Sequence, residues 1–289
     1  MEITKVSMKL KELYELSIDL LKRSNIENPQ LESMIIISQL LNIPKHKIFT
    51  NPDLEVKDYE KVLKAVEKRA RKVPLAYILN KKEFFGLEFY IEEGVLIPRP
   101  ETEILVEKVL EKVSNRKNPI GLEVGVGSGC ICVSLLHHKK DLNMIGLDIS
   151  EKALEVSKIN AEKFNVIDRL TLLKFDVLKD DVEKLNVSSF DFVVSNPPYI
   201  SENEYETLQE EVKKEPKEAL ISGKVGTEFY EKIVDRFKNY LKKDGFFAFE
   251  VGIGQGNKVK EILEKSGFNK LEIHKDLASI DRVVIGFKI

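Results

Sequence analysis

Residues 196–199 read Asn-Pro-Pro-Tyr and follow a hydrophobic run from Phe190 to Val194. Two prolines directly after such a run cannot continue a ladder, because each lacks an N–H and fixes φ. They predict a stiff, extended loop at the carboxyl end of a buried strand, where open α/β sheets hold their ligands. Asn196 offers a side-chain amide oxygen there, and Pro197 a backbone carbonyl. Two fixed acceptors suit a planar –NH2 group, which carries two donors. Tyr199 can wall the same plane. The expected chemistry is modification of an amide or amino nitrogen, with Asn196, Pro197 and Tyr199 as its catalytic candidates.

A second constellation precedes it. Glu123-Val124-Gly125-Val126-Gly127-Ser128-Gly129 follows the apolar segment from Ile120. Glycines at 125 and 127 permit a tight turn and close approach of a ligand to the backbone. The helix expected next points free N–H groups at that ligand. The spacing Gly-x-Gly-x-Gly differs from the Gly-x-Gly-x-x-Gly of dinucleotide enzymes. Asp148 ends the next strand at about the right distance to bind a ribose hydroxyl pair, a geometry shared by nicotinamide and S-adenosylmethionine sites. Asp176, ending the third, could accept from an adenine amino group. Other readings stay open: Asp148 as a helix cap and Asp176 as a turn residue. Glu123 would sit badly beside a pyrophosphate and well beside a cation, such as the α-amino group of S-adenosylmethionine.

These residues need a sheet to carry them. Strands are expected at Ile120–Val124, Met144–Asp148, Leu170–Asp176, Phe190–Ser195, Phe246–Val251, Leu271–His274 and Arg282–Lys288. Helices fit at about 128–138, 151–164, 228–241 and 255–266. Repeated β-α units predict an α/β fold with a mostly parallel, doubly wound sheet, its last two strands antiparallel. Upstream, residues 1–82 read as a helical domain. Leu10, Leu13, Leu16, Leu20 and Leu21 form one stripe, and Leu31, Ile35, Ile36, Leu40 and Leu41 another. Asn28-Pro29 reads as an N-cap with proline at the first helical position. A third helix, Lys57–Lys72, carries Lys57, Lys61, Lys64, Lys68, Arg69, Arg71 and Lys72 on its outer face. That face is either solvated, with Asp58, Glu60 and Glu67 interleaved, or a docking surface. Residues 83–98 suggest a β-hairpin linker, with Phe84–Ile91 and Val95–Ile97 as strands and Glu92-Glu93-Gly94 as the turn.

Bulk composition narrows the classes. The 289 residues carry 46 Lys plus Arg against 48 Asp plus Glu, a net charge of −2. That balance argues against a dedicated nucleic-acid binder. No apolar run approaches the ~18 residues of a membrane helix, and the first residues, Met1 to Lys5, show no signal-peptide core. The two cysteines, Cys130 and Cys132, fall two apart on one helix, so a reducing cytoplasm is the expected compartment. The four histidines form no metal-ligand pattern with cysteine or acid, and no metal is expected.

Taken together, the chain resembles the bacterial protein-(glutamine-N5) methyltransferases that modify the Gly-Gly-Gln loop of class-1 peptide chain release factors. The resemblance spans nearly its whole length. It rests on Phe85-Gly86-Leu87-Glu88-Phe89, Leu96-Ile97-Pro98-Arg99-Pro100-Glu101-Thr102-Glu103, Glu123–Gly129, Asp148-Ile149-Ser150, Asn196–Ile200 and Asp281-Arg282-Val283-Val284. Methyltransferases acting on adenine or guanine amino groups share Asn-Pro-Pro-Tyr, whereas the Ile-Pro-Arg-Pro-Glu-Thr-Glu segment is far more specific to the glutamine enzymes. The resemblance implies a class I S-adenosylmethionine-dependent methyltransferase fold with a seven-stranded sheet over 99–289. It implies that residues 1–82 recognise the release factor. Gly125, Val126, Gly127, Ser128, Gly129, Asp148, Asp176, Val177 and Asn196, with Glu123, would line the S-adenosylmethionine site. Asn196, Pro197, Pro198 and Tyr199 would hold the substrate glutamine. Departures from the family pattern are Glu123 for aspartate, Val126 for threonine, Ser279 for glycine, and Val177 where some members place an aromatic ring. No stable nucleic-acid binding and no membrane association are expected. Two rivals remain: a nucleic-acid amino methyltransferase, and a non-catalytic module docking on the translation machinery.

Overall fold

A computed structural model describes residues 6–187 and 189–289; Met1–Lys5, where the absence of a signal core was read, lie outside them. The chain divides into two compact units. The first runs to Lys81 and takes in Gln209–Lys214; the second comprises Lys82–Leu208 and Glu215–Ile289.

The first unit is built on helices α1 (Leu10–Arg23), α2 (Pro29–Leu41) and α3 (Tyr59–Ala70). Leu10, Leu13 and Leu21 are buried with Ile36, Ile37, Val62 and Val66. Leu16 and Leu31, counted in the apolar stripes, face solvent instead. Ser17 and Ser33 take buried places, and Ser17 Oγ is satisfied by the Leu13 carbonyl at 2.7 Å. Asn28 holds the N-cap position of α2 and Pro29 its first turn, with no side-chain cap bond. Arg69, assigned by the sequence to an outer basic face, is buried. Its guanidinium donates to both carboxylate oxygens of Glu32 and pairs with Glu211 at 2.8 Å. Helical spacing shows which side a residue occupies, but not that an arginine fork will meet two acids there.

The linker hairpin also differs from expectation. Its strands are β1 (Lys81–Phe84) and β2 (Leu87–Tyr90), so the turn is Phe85-Gly86 and not Glu92–Gly94. Phe85 and Gly86 both have positive φ, 49° and 72°, the backbone of a two-residue hairpin turn. The aromatic run around Gly86 masked this turn in the sequence.

The second unit follows with α4 (Thr102–Val113), β3 (Ile120–Val124), α5 (Cys130–His138), β4 (Asn143–Asp148), α6 (Glu151–Lys163) and β5 (Leu170–Lys174). Then come β6 (Phe190–Ser195), α7 (Glu228–Phe237), β7 (Leu241–Glu250), α8 (Gly256–Lys265), β8 (Asn269–Lys275) and β9 (Asp281–Phe287). The seven strands form one sheet in the order β8-β9-β7-β6-β3-β4-β5. Neighbours from β7 to β5 pair in parallel, and β9 runs antiparallel to both β7 and β8. This is the seven-stranded, doubly wound sheet that the sequence called for. Its direction of winding reverses at β3, which lies between β6 and β4. Strand β5 stops at Lys174, which leaves Asp176 in the following loop. Strand β7 starts five residues earlier than expected, through an irregularity at Asp244 (φ 61°) that resembled a turn in sequence.

Both faces of the central strands are covered, which accounts for their nearly continuous apolar sequences. Phe190, Phe192, Phe246, Phe247 and Phe249 are fully buried. Gly121 in β3 exists to admit one of them: a Cβ there would lie 2.3 Å from the Phe192 ring and 2.5 Å from Met144 Sδ. Gly121→Ala is therefore expected to cost about 1–3 kcal/mol of stability through overpacking. Urea unfolding should show a lower midpoint with an unchanged slope; a midpoint equal to that of the wild type would contradict this account.

Candidate active site

Parallel pairing brings the carboxyl ends of β7, β6, β3 and β4 to one edge of the sheet. The glycine turn leaves β3 there and folds back over β4, with Gly125 and Val126 N–H groups both donating to the Leu147 carbonyl at 2.8 and 3.0 Å. Gly125 and Gly127 have φ of 78° and 54°, and an added Cβ at either would meet nothing within 4 Å. Conformation requires these glycines, and their backbone fronts open space.

Asp148 joins this turn directly. Its Oδ2 accepts from the Gly127 N–H at 2.9 Å, and its Oδ1 from the Ser150 N–H at 2.9 Å. The cap of α6 is Ser150, whose hydroxyl accepts from Ala153 N–H, so Asp148 is not that cap. Burial pushes the Asp148 carboxyl above its ordinary value, while the N–H groups of Gly127, Ser150 and Ile149 pull it back. The nearby charge of Glu218 adds to the upward push. Glu218 also lines an open hollow of about 550 Å³ with Glu202, Tyr205, Glu206, Lys217 and Ile221.

Other expected cofactor residues are placed differently. Glu123 is 1% exposed; its Oε2 accepts from the Cys132 N–H in the first turn of α5, and its Oε1 has no partner. Val126 is buried against Gly146, and Ser128 is buried as well. Val177 lies in the core cluster with Leu147 and Val182. Asp176 is engaged within its own loop, accepting from Leu178 N–H at 2.9 Å and pairing with Lys179 at 3.4 Å.

The Asn-Pro-Pro-Tyr loop leaves β6 beside the glycine turn. Ser195 Oγ donates to the Val124 carbonyl at 2.6 Å, tying the two strand ends together. Asn196 Nδ2 donates to Thr102 Oγ1 at 3.3 Å, which turns its Oδ1 the other way. Pro197 is buried, while Asn196, Pro198 and Tyr199 are half-buried. The Tyr199 carbonyl accepts from Gln255 Nε2 at 2.8 Å, and Gln255 Oε1 accepts from Gly252 N–H at 3.2 Å. A Cβ at Gly226 would fall 2.8 Å from that same carbonyl oxygen, and one at Gly252 would fall 2.9 Å from the Tyr199 ring. Ile200 N–H then donates to the Leu220 carbonyl at 3.0 Å. The loop is thus held along its length. Burial and the Glu250 charge push the Tyr199 phenol well up, so it stays neutral.

Residues 100–227 match the family model described as methyltransferase small domain, and residues 12–79 match PrmC N-terminal domain. A release factor glutamine methyltransferase of Clostridium acetobutylicum is 39% identical over 284 residues, covering 97% of this chain and 99% of that protein. The chain belongs to the release factor glutamine methyltransferases. The Aquifex aeolicus protein of the same name is 42% identical over 269 residues, covering 92% of this chain and 94% of its own. A crystal structure of a Pyrococcus furiosus methyltransferase superposes with a TM-score of 0.52 at 19% identity, covering 79% of this chain and 96% of that one, which shows the shared fold. The chain is accordingly a methyltransferase. Among the described residues no cluster of His, Cys, Asp or Glu could hold a metal ion, and no helix is long and apolar enough to cross a membrane.

The segment that marked this family in sequence turns out to wire the site. Glu215, buried, accepts from the Ile97 N–H at 3.0 Å and from the Arg99 guanidinium at 2.5 Å. Thr102 holds Asn196, and Glu103 Oε1 accepts from the Phe85 N–H at 2.8 Å. Sequence reasoning quoted Arg99 and Thr102 without giving them a role, and passed over Glu215, Glu250 and Gln255. The signal for Thr102 was its place in that segment; Glu215 and Gln255 carried none.

Burial pushes the Glu123 carboxyl up to about 8, against the pull of the Cys132 N–H. The unfolded carboxyl releases its proton near 4.5. Between those values the folded state binds more protons, so this group's stabilisation is complete below about 4.5 and is lost as pH rises through about 8. The melting-temperature difference, wild type minus Glu123→Gln, should therefore shrink between about pH 5 and about pH 8. A difference that stays constant over this range would contradict the assignment.

Proposed function

We propose that this methyltransferase transfers the methyl group of S-adenosylmethionine to the side-chain amide nitrogen of the glutamine in the Gly-Gly-Gln motif of class-1 peptide chain release factors. The observation that carries this reading is the Asn196 carboxamide, its nitrogen tethered by Thr102 and its oxygen turned away, at the strand end tied to the glycine turn. An acceptor so held suits an –NH2 group better than a hydroxyl, which has one donor.

The residues fit the methyl donor. Open backbone at Gly125 and Gly127 leaves room for close approach, and Ser128 and Gly129 lead into α5. Asp148 keeps lone pairs beyond its two backbone bonds, which suits a ribose diol. Glu123 shapes the cofactor turn from behind, its Oε2 accepting from the Cys132 N–H at the start of α5. Val126 would contribute backbone; Asp176 and Val177 begin the loop that would flank the adenine. Bound there, S-adenosylmethionine supplies an electrophilic methyl on a sulfonium.

The protein's own contribution is orientation and polarisation. An amide nitrogen is a poor nucleophile because its lone pair is delocalised into the carbonyl. Asn196 Oδ1 and the Pro197 carbonyl would each accept one N–H, fixing the nitrogen and raising its electron density. Such positioning supplies up to ~7–11 kcal/mol in favourable systems. Pro198 keeps the loop extended, and the neutral Tyr199 ring bounds the plane. The nitrogen becomes acidic once methylated and releases its proton to solvent. In this reading residues 1–82 contribute to recognition of the release factor, and the place of action is the cytoplasm.

With recombinant release factor as substrate, mass analysis should locate one added methyl on the glutamine. Asn196→Ala should lower turnover by about a hundredfold or more, with the dissociation constant for S-adenosylmethionine within about twofold of wild type. Unchanged turnover would remove Asn196 from the mechanism. Asp148→Ala should weaken cofactor binding by about tenfold or more; isothermal titration giving the wild-type constant would contradict that role.

A further inference from the structure

The Asn-Pro-Pro-Tyr loop has one anchor to which the mechanism above gives no part. Neither proline carries an N–H, so the middle of the loop has no main-chain donor to be held by, and its course depends on what grips its two ends. At the near end Ser195 Oγ donates to the Val124 carbonyl and Asn196 Nδ2 to Thr102 Oγ1. At the far end a single peptide unit is held on both edges. The Ile200 N–H donates to the Leu220 carbonyl at 3.0 Å, and the Tyr199 carbonyl accepts from Gln255 Nε2 at 2.8 Å. Gln255 is itself fixed at the entrance to α8. Its N–H donates to the Gly252 carbonyl, and its carbonyl accepts from the Val259 N–H, both at 3.0 Å. A Cβ at the next residue, Gly256, would fall 2.6 Å from Asp281 Oδ2, so the start of α8 lies close against β9.

Building on the reading of Asn196 and the Pro197 carbonyl as acceptors for the substrate amide, we infer that Gln255 is a positioning residue for methyl transfer. Its carboxamide fixes the Tyr199–Ile200 peptide, and through it the direction of the Pro197 carbonyl and the seat of the Tyr199 ring. The partners dictate how that carboxamide is turned. The Gly252 N–H can only donate, and it meets Oε1 at 3.2 Å; the Tyr199 and Gly226 carbonyls can only accept, and they meet Nε2 at 2.8 and 3.3 Å. Rotated by half a turn, the group would set its oxygen against two carbonyls. The surrounding backbone is shaped to it. A Cβ at Gly226 would lie 2.8 Å from both Gln255 Nε2 and the Tyr199 oxygen, and one at Gly252 would lie 3.0 Å from Oε1 and 2.9 Å from the Tyr199 ring. Because φ of Pro198 is fixed, only its ψ and the two torsions of Tyr199 are soft between the held peptide and the Pro197 carbonyl. A swing of the Tyr199 carbonyl therefore re-aims the acceptor.

One substitution separates this role from mere support. Gln255→Glu keeps the shape of the side chain but, when ionised, has no proton to give. It would then face the Tyr199 and Gly226 carbonyls with oxygen alone and push the loop end away. Protonated, the same carboxyl donates one O–H to the Tyr199 carbonyl and still accepts from Gly252, which restores the grip. The titratable and charged groups around the niche are Tyr199, Glu228 and Tyr230 of α7, Glu250 of β7, and Asp281 and Arg282 of β9. Glu228 accepts from the Gly226 N–H at 2.8 Å. The Tyr230 hydroxyl lies 3.4 Å from Gln255 Oε1 and donates to the Glu250 carbonyl at 3.0 Å. Burial keeps both tyrosines neutral. All six are common to wild type and variant, so the ratio of the two activities removes their titration and leaves that of residue 255.

Two variants test the inference, with release factor as substrate. Gln255→Leu should lower kcat by about tenfold or more at every pH, with the dissociation constant for S-adenosylmethionine within about twofold of wild type. The kcat ratio of Gln255→Glu to wild type should be equally low at about pH 8 and climb by about fivefold or more towards about pH 5.5. Wild-type kcat in Gln255→Leu, or a Gln255→Glu ratio that stays flat with pH, would each overturn the inference. A readout independent of turnover is hydrogen exchange of backbone amides. Exchange at Ile200 should quicken by about tenfold or more in Gln255→Leu, while Leu122 in the middle of β3 keeps its wild-type rate. An unchanged rate at Ile200, or an equal quickening at both amides, would overturn it as well. A wild type inert towards release factor would overturn the proposed function instead, and exchange at Ile200 would still decide whether Gln255 grips the loop.

Discussion

Hydrogen bonds between main chain and strand end hold β3, β4 and β6 level at one edge of the sheet. Gly125 and Val126 donate across to Leu147 on one side, and Ser195 donates to the Val124 carbonyl on the other. The glycine turn, Asp148 and Asn196 are three separate stretches of sequence, and these short bonds bring them together. They can form because the winding of the sheet reverses at β3, which leaves room between the loops that depart in opposite directions. Gly121 lets Phe192 lie across β3, so the register of β6 against it is set by packing as well as by the ladder.

Two fully buried carboxyls stand behind this edge. Glu123 fixes the start of α5 through Cys132, and so the direction in which the glycine turn opens. Glu250 ends β7 beside β6, the strand from which the acceptor loop departs. Each keeps one oxygen without a protein partner. A domain selected for stability alone would replace such groups with apolar ones. Their presence is the kind of local conflict between folding and geometry that marks a working site.

Much of this was readable in the sequence because it rests on local rules. The seven strands of the sheet followed from apolar runs bounded by turns, and the acceptor loop from two prolines that no strand interior tolerates. What escaped reading depends on contacts distant in the chain. Arg69 looked like surface charge until Glu32 and Glu211 were seen to enclose it. The hairpin turn at Phe85-Gly86 was hidden by aromatic neighbours. Thr102, Glu215 and Gln255 sit roughly 94, 116 and 56 residues from the partners they hold, and no periodicity reports such pairings. Val126 and Val177 showed the converse: position in a motif said nothing of which way their side chains turn.

The helical unit is not a simple prefix. It is completed by Gln209–Lys214, so the polypeptide passes between the two units three times, after Lys81, after Leu208 and after Lys214. Glu211 on that returning stretch neutralises Arg69. Grafting the first eighty or so residues of a relative onto this chain would transplant an arginine socket without its second acid. Any exchange of the helical unit in this chain has to carry both pieces together, because the second acid of the socket comes from a stretch beyond Leu208.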